Sequence, residues 1–151
     1  YSLVTRQVEE ELLPCLRHHN IAFYAYSPLG GGILTGKNQF QQQDDKKIPK
    51  GRFNGVGWDK VYRDRYWKEE HFNAMETLKG DFLKTKLTIH INIILPELLV
   101  KHHPDSAISV PEAAFRWIYN HSALDGARGD AVVIGASRLD QVNANLELSQ
   151  A

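Results

Sequence analysis

Two hydrophobic rhythms alternate along this chain, the 3.6-residue spacing of helices and the short apolar runs of strands. Val8, Leu12, Cys15 and Leu16 recur at helical spacing and predict a helix from about Arg6 to His19. Thr5 is its expected N-cap, and Glu9, Glu10 and Glu11 favour the dipole in its early turns. Pro14 falls within that range and is expected to kink it. Asn20 can end the helix, after which Ile21–Tyr26 reads as a strand. A helix followed by a strand is the repeating unit of parallel α/β folds.

From Asn38 to Val56 the pattern turns polar, with Gln41–Gln43, Asp44–Asp45 and Lys46–Lys47 ahead of Pro49 and Gly51. So long a stretch reads as a lid, a binding loop or a disordered segment rather than a simple connector. Tyr62 to Lys79 reads as one charged helix with Tyr66, Trp67, Phe72 and Met75 at its apolar positions. Val110–Asn120 follows as another, with Ser109 as N-cap, Pro111 in the first turn and Glu112 completing a capping-box pattern. Ala131–Gly135 is a continuous apolar run, expected to be a strand buried on both faces. Leu139–Leu148 reads as a closing amphipathic helix. Residues 80–100 are the exception, alternating like a strand between helical stretches and carrying no functional motif.

Composition narrows this picture. At 151 residues, 42% hydrophobic and 24% charged, the chain can bury one core and does not suggest two domains. Eighteen basic and eighteen acidic side chains cancel, which argues against nucleic-acid or membrane partners. Leu87–Val100 is too short and too interrupted to span a bilayer. Cys15 is the sole cysteine, so no intramolecular disulfide is expected and a reducing, cytoplasmic compartment fits. No signal or transit segment and no methionine precede Tyr1, and the chain is expected to be cut from something longer.

The candidate chemistry begins where the strand ends. Ser27, Pro28, Leu29, Gly30, Gly31, Gly32, Ile33, Leu34, Thr35, Gly36 and Lys37 form a glycine-rich loop closing in a lysine. A loop at the carboxyl end of a strand is where α/β folds hold ligands. Glycines let backbone N–H groups approach an anion, and the lysine adds charge, so a phosphate-bearing ligand, a nucleotide cofactor, is expected. Such loops are also common as plain turns. Gly31-x4-Gly36-Lys37 satisfies most of a P-loop, but Asn38 stands where a Mg²⁺-binding hydroxyl is required. His18–His19 and His102–His103 are adjacent pairs whose neighbours point apart, so no metal site is expected. Cys15 reads as an inert core thiol, and at least one of Tyr24 and Tyr26 as core.

Taken in order, these blocks resemble the aldo-keto reductases. Tyr24–Gly32 with Leu34-Thr35-Gly36-Lys37 is similar to the family's pyrophosphate loop after its seventh strand, and Val133–Arg138 with Gln141 and Asn145 to its last strand and last helix. Thr5–Glu9, Pro14–His18, Tyr62–Glu69 and Phe115–Tyr119 with His121-Ser122 resemble its aflatoxin aldehyde reductase subfamily. The resemblance covers the chain except residues 80–100, an atypical insertion relative to the family's shorter connection. It implies the carboxyl-terminal part of a (β/α)₈ barrel reducing small aldehydes and ketones with NADPH, the rest of the barrel supplying the catalytic tyrosine, lysine, aspartate and histidine. Tyr24, Tyr26, Lys37 and the histidines do not match those positions, so no catalytic role is carried over.

By the same resemblance Tyr26 stacks on the nicotinamide, Ser27 to Lys37 hold the pyrophosphate, and Arg52 contacts the cofactor from a covering loop. Ser137 and Arg138 lie at the 2′-phosphate, Gly135 is among the cofactor-binding positions, and Gln141 and Asn145 face the adenine. Taken singly, Arg52 would be a solvated side chain and Arg138 an early-helix cation. About three of eight strands are expected, at Tyr1–Leu3, Ile21–Tyr26 and Ala131–Gly135. Such a half-barrel exposes strand edges and an uncovered face, and is expected to be marginal unless the missing half is present. Homodimer formation is left open. The alternative is a non-catalytic nucleotide-binding or subunit-pairing module.

Overall fold

The computed structural model describes residues 1–40, 48, 50–55, 57–79 and 109–150. Its centre is a parallel pair, β1 (Tyr24–Tyr26) against β2 (Ala131–Val133), in register Tyr24↔Ala131, Ala25↔Val132 and Tyr26↔Val133. Both strands are shorter than the apolar runs that predict them. Tyr1 lies beside β1, its amino nitrogen 3.1 Å from the Tyr26 carbonyl, but the segment makes only a local Ser2↔Thr5 bridge and is no strand.

One buried carboxylate fixes the start of both strands. Asp130, directly before β2, has a fully buried side chain. Oδ1 accepts from the Phe23 N–H at 2.8 Å and Arg17 Nη1 at 3.1 Å. Oδ2 accepts from the Asp125 N–H at 2.8 Å and from Arg17 Nη2. Burial pushes this carboxyl up, but the hydrogen bonds from Arg17, Asp125 and Phe23 outweigh it and hold it below the ordinary range. Arg17 also donates to the Ala123 carbonyl, tying the helix before β1 to the loop before β2.

That helix is shorter than its hydrophobic period suggests. Residues Gln7–Glu9 form a 3₁₀ turn, and α1 runs only from Leu12 to His18. Proline lacks the N–H needed mid-helix, so Pro14 sits in the first turn of α1 instead of kinking a longer helix. Thr5 is not the N-cap; Arg6 and Glu11 take the two cap positions, neither with a side-chain cap bond. Leu13 is buried whereas Leu12 and Cys15 are exposed, so Cys15 is not a core thiol. Asn20 does end the helix, at φ 55° with paired Asn20→Arg17 and Ile21→Leu16 bonds of a Schellman motif.

The core lies on one side of the β1–β2 pair. Ala25 points into it, with Ile33, Leu34, Phe115 and Ile118 fully buried. The helix α4 (Val110–Asn120) supplies much of that core and is capped as its sequence predicts, Ser109 Oγ accepting from the Glu112 N–H. The charged helix expected from Tyr62 is broken into α2 (Asp59–Tyr66) and α3 (Glu69–Lys79). At the break Trp67 takes φ −85° and ψ 65°, and Lys68 N–H returns to the Tyr66 carbonyl at 3.0 Å, an inverse γ-turn. Tyr66, Phe72 and Met75 are buried as expected. The closing helix α5 runs from Leu139 to Leu148.

The opposite face of the pair is open. Tyr24 and Tyr26 are 64% and 56% exposed and Val133 50%, so neither tyrosine is core and β2 is not buried on both faces. Among the described residues the helices cover the Ala25 side of the pair, and Tyr24 and Tyr26 point away from them. Residues 80–100 lie outside the described residues.

Breaking the Asp130 cluster is expected to loosen both strands. Asp130→Asn leaves Arg17 without its partner and should cost about 3 kcal/mol in urea unfolding at neutral pH, followed by tryptophan fluorescence. The folded pKa of Asp130 lies below its unfolded value, so its contribution is complete above about pH 4 and is lost as pH falls through the folded pKa. The difference between parent and variant should therefore narrow on acidification below that point; a difference constant down to the acid transition would contradict the assignment.

Candidate functional site

The parallel register makes both strands end together, so the loop beginning at Ser27 and the turn beginning at Ile134 leave from the same end of the pair. Ser27 itself takes φ 57°, rare for a residue with a side chain, turning the chain sharply out of β1. Gly30–Thr35 then form a 3₁₀ segment in which Gly31 (φ 69°) and Gly32 (φ 109°) leave helical geometry. Gly36 closes it at φ 68°. The hydrogen bonds Gly30→Ser27 and Gly32→Leu29, both 2.9 Å, hold the turn, and Thr35 Oγ1 donates to the Gly32 carbonyl at 2.7 Å. Lys37 follows in non-helical chain through residue 39, unlike a P-loop, whose lysine opens an α-helix.

Not every loop residue presents a side chain outward. Ile33 and Leu34 are fully buried and Pro28 and Gly30 are buried, so these serve the core and position the loop. Lys37 and Tyr26 are exposed. Gly31 is required by close approach, because a Cβ there would sit 2.7 and 2.8 Å from the Tyr62 ring.

Tyr62, on α2, links the loop to Arg52. The Arg52 guanidinium lies 5.6 Å over the Tyr62 ring and Nη1 donates to the Tyr62 hydroxyl at 3.3 Å. Nη2 comes within 3.9 Å of the place a Cβ would occupy on Gly135, just beyond β2. The covering loop is docked beside it, with Ile48 and Phe53 buried and Asn54 Nδ2 donating to the Ile48 carbonyl. Arg52 thus bridges the glycine loop, through Tyr62, and the carboxyl end of β2.

Beyond Gly135, residues Ala136 to Arg138 are exposed. Arg138 is the N-cap of α5 with extended φ and ψ, not an early-helix residue. Its Nε and Nη2 pair with both oxygens of Asp140, at 3.0 and 2.6 Å. The hydrogen bond from Arg138 holds the Asp140 carboxyl below its ordinary range and raises Arg138 itself. Gln141 Oε1 accepts from both the N–H and Oγ of Ser137 at 3.1 Å. Asn145 is half-buried one turn further along α5. Two members went unassigned in the sequence. Tyr62 carries no signal in the sequence, since it meets Gly31 only through the fold, whereas Asp140 stands two residues after Arg138 at a helix start.

The donor set suits a phosphorylated dinucleotide. Positive-φ glycines turn the loop, three cations (Lys37, Arg52 and Arg138) are exposed, and an exposed aromatic ends β1. Among the described residues no group of three His, Cys, Asp or Glu side chains is placed to hold a metal, and no helix is long and apolar enough to cross a membrane.

Residues 1–151 match the Aldo/keto reductase family. The chain is 46% identical over 150 residues to rat (Rattus norvegicus) "Aflatoxin B1 aldehyde reductase member 2", covering 99% of this chain and 36% of that protein. It is 45% identical to the human (Homo sapiens) protein of the same name, with 99% and 37% coverage, and 43% identical to human "Aflatoxin B1 aldehyde reductase member 4", with 99% and 40%. The chain therefore spans about two-fifths of the length of the curated relatives it matches.

The contact between Gly31 and Tyr62 generates a direct expectation. Gly31→Ala adds a Cβ at φ 69° against the Tyr62 ring and should destabilise by about 2 kcal/mol, part strain and part clash. Tyr62→Ala removes the clash, so the double variant should be less destabilised than the sum by at least about 0.5 kcal/mol. Additive losses in a denaturation double-mutant cycle would show that the two residues do not meet.

Proposed function

The chain belongs to the aldo/keto reductase family, and on that premise we propose that it is the carboxyl-terminal, cofactor-holding part of an NADPH-dependent reductase of aldehydes and ketones. What carries the reading is Arg52, which reaches from the ring covering Gly31 to Gly135 and so joins the two blocks a dinucleotide must touch. The parallel pair with helices on one face supports a partial (β/α)₈ barrel, the fold the family implies.

When bound, the nicotinamide supplies a hydride to the substrate carbonyl carbon. The residues of this chain bind and orient it. Backbone N–H groups between Ser27 and Lys37 take the pyrophosphate, with Arg52 adding charge from the covering loop. Tyr26 offers its exposed ring to the nicotinamide. Ser137 and Arg138 take the 2′-phosphate, and Gln141 and Asn145 flank the adenine. Proton transfer to the carbonyl oxygen is left to the remainder of the barrel, whose strands would also cover the open face at Tyr24 and Val133. The partner is a small carbonyl compound, with the protein working in the cytoplasm.

That open face also supports a second reading, a nucleotide-binding or subunit-pairing module without chemistry of its own. Intact mass of the native polypeptide eluted by NADPH from a nucleotide-affinity resin separates the two. A mass well above that of this chain supports the reductase, and a mass equal to it supports the module.

Arg138→Ala tests the cofactor assignment. A guanidinium gripping a phosphate makes charge-assisted hydrogen bonds that NADH cannot receive, so the variant should weaken NADPH about tenfold or more and NADH less than about twofold. Equal losses in fluorescence titrations of the full-length protein would remove Arg138 from the 2′-phosphate.

A further inference from the structure

Asp140 grips Arg138 in the manner a phosphate would. Nη2 lies 2.6 Å from Oδ2 and Nε 3.0 Å from Oδ1, so one complete edge of the guanidinium is occupied by a carboxylate. Both side chains are 64% exposed, which makes the pair accessible, screened by salt and displaceable. A phosphate using that edge must displace Asp140, and one using the other edge must accept a neighbouring negative charge. Asp140 has somewhere to go, since it stands in the first turn of α5, where a carboxylate is favoured by the exposed N–H groups.

We propose that Asp140 is a specificity-determining residue, an intramolecular competitor that lowers affinity for 2′-phosphorylated nucleotides and leaves unphosphorylated ones untouched. The proposal rests on the reading that Arg138 meets the 2′-phosphate. Its consequence is a preference for NADPH over NADH smaller than Arg138 alone would give.

Calorimetric titration of the full-length protein with NADPH, NADH and 2′,5′-ADP at low ionic strength tests it. Asp140→Asn should tighten NADPH and 2′,5′-ADP about fivefold and leave NADH within about twofold, the gain shrinking as salt is added. Asp140→Ser, which keeps a residue suited to a helix start, should do the same and guards against a fault particular to the amide. Unchanged or weakened NADPH in both variants, in a protein whose parent binds NADPH and loses it selectively with Arg138→Ala, overturns the competitor while keeping the site. If Arg138→Ala leaves the NADPH preference intact, the site reading and the competitor fall together.

Discussion

The buried Asp130 carboxylate ties the starts of β1 and β2 to each other and to α1. A parallel pair has no hairpin to set its register, so the strands must be tied by contacts that cross the sequence. Asp130 does this by accepting from the Phe23 backbone just before β1 while standing itself just before β2. Arg17 neutralises the charge and carries the tie back to α1. A buried carboxylate with so many donors is costly to break, and its position ahead of both strands leaves their far ends free for loops. The buried ion-pair tie lies at one end of the pair and the candidate binding groups at the other, the division expected of barrel folds.

At that far end the constraint is steric. Gly31 lets Tyr62 lie against the loop, Tyr62 carries Arg52, and Arg52 reaches Gly135. Each step depends on the one before, so a methyl group on a single glycine would disturb a cation several residues away in space. The positive-φ glycines therefore have two roles, turning the backbone and making room for the ring.

Much of the architecture was legible in the sequence. The helices Val110–Asn120 and Leu139–Leu148 lie where their periodicity puts them, and the first begins at its expected cap, Ser109. The first helix is shorter than its apolar stripe implies, because Pro14 lacks the N–H that a residue deep in a helix needs and takes a place in the first turn. The split at Trp67 was invisible because it rests on a single γ-turn, with nothing in residue type to mark it. Tyr24 and Tyr26 depart from expectation for a different reason. Strand alternation gives which residues share a face but not which face is covered, and here the helices took the side of Ala25. In the site, the order of blocks was readable and their meeting through Arg52 was not, because Tyr62 and Asp140 act through contacts rather than motifs.

Hydrogen–deuterium exchange of the full-length protein, with and without NADPH, tests most directly whether the glycine loop and the Gly135–Arg138 turn form one site. Cofactor-dependent protection is expected at residues 27–37, at the backbone around Arg52 and at residues 135–141 together, with one concentration dependence. Protection confined to one of these segments, or separate midpoints for the two blocks, would contradict a single site.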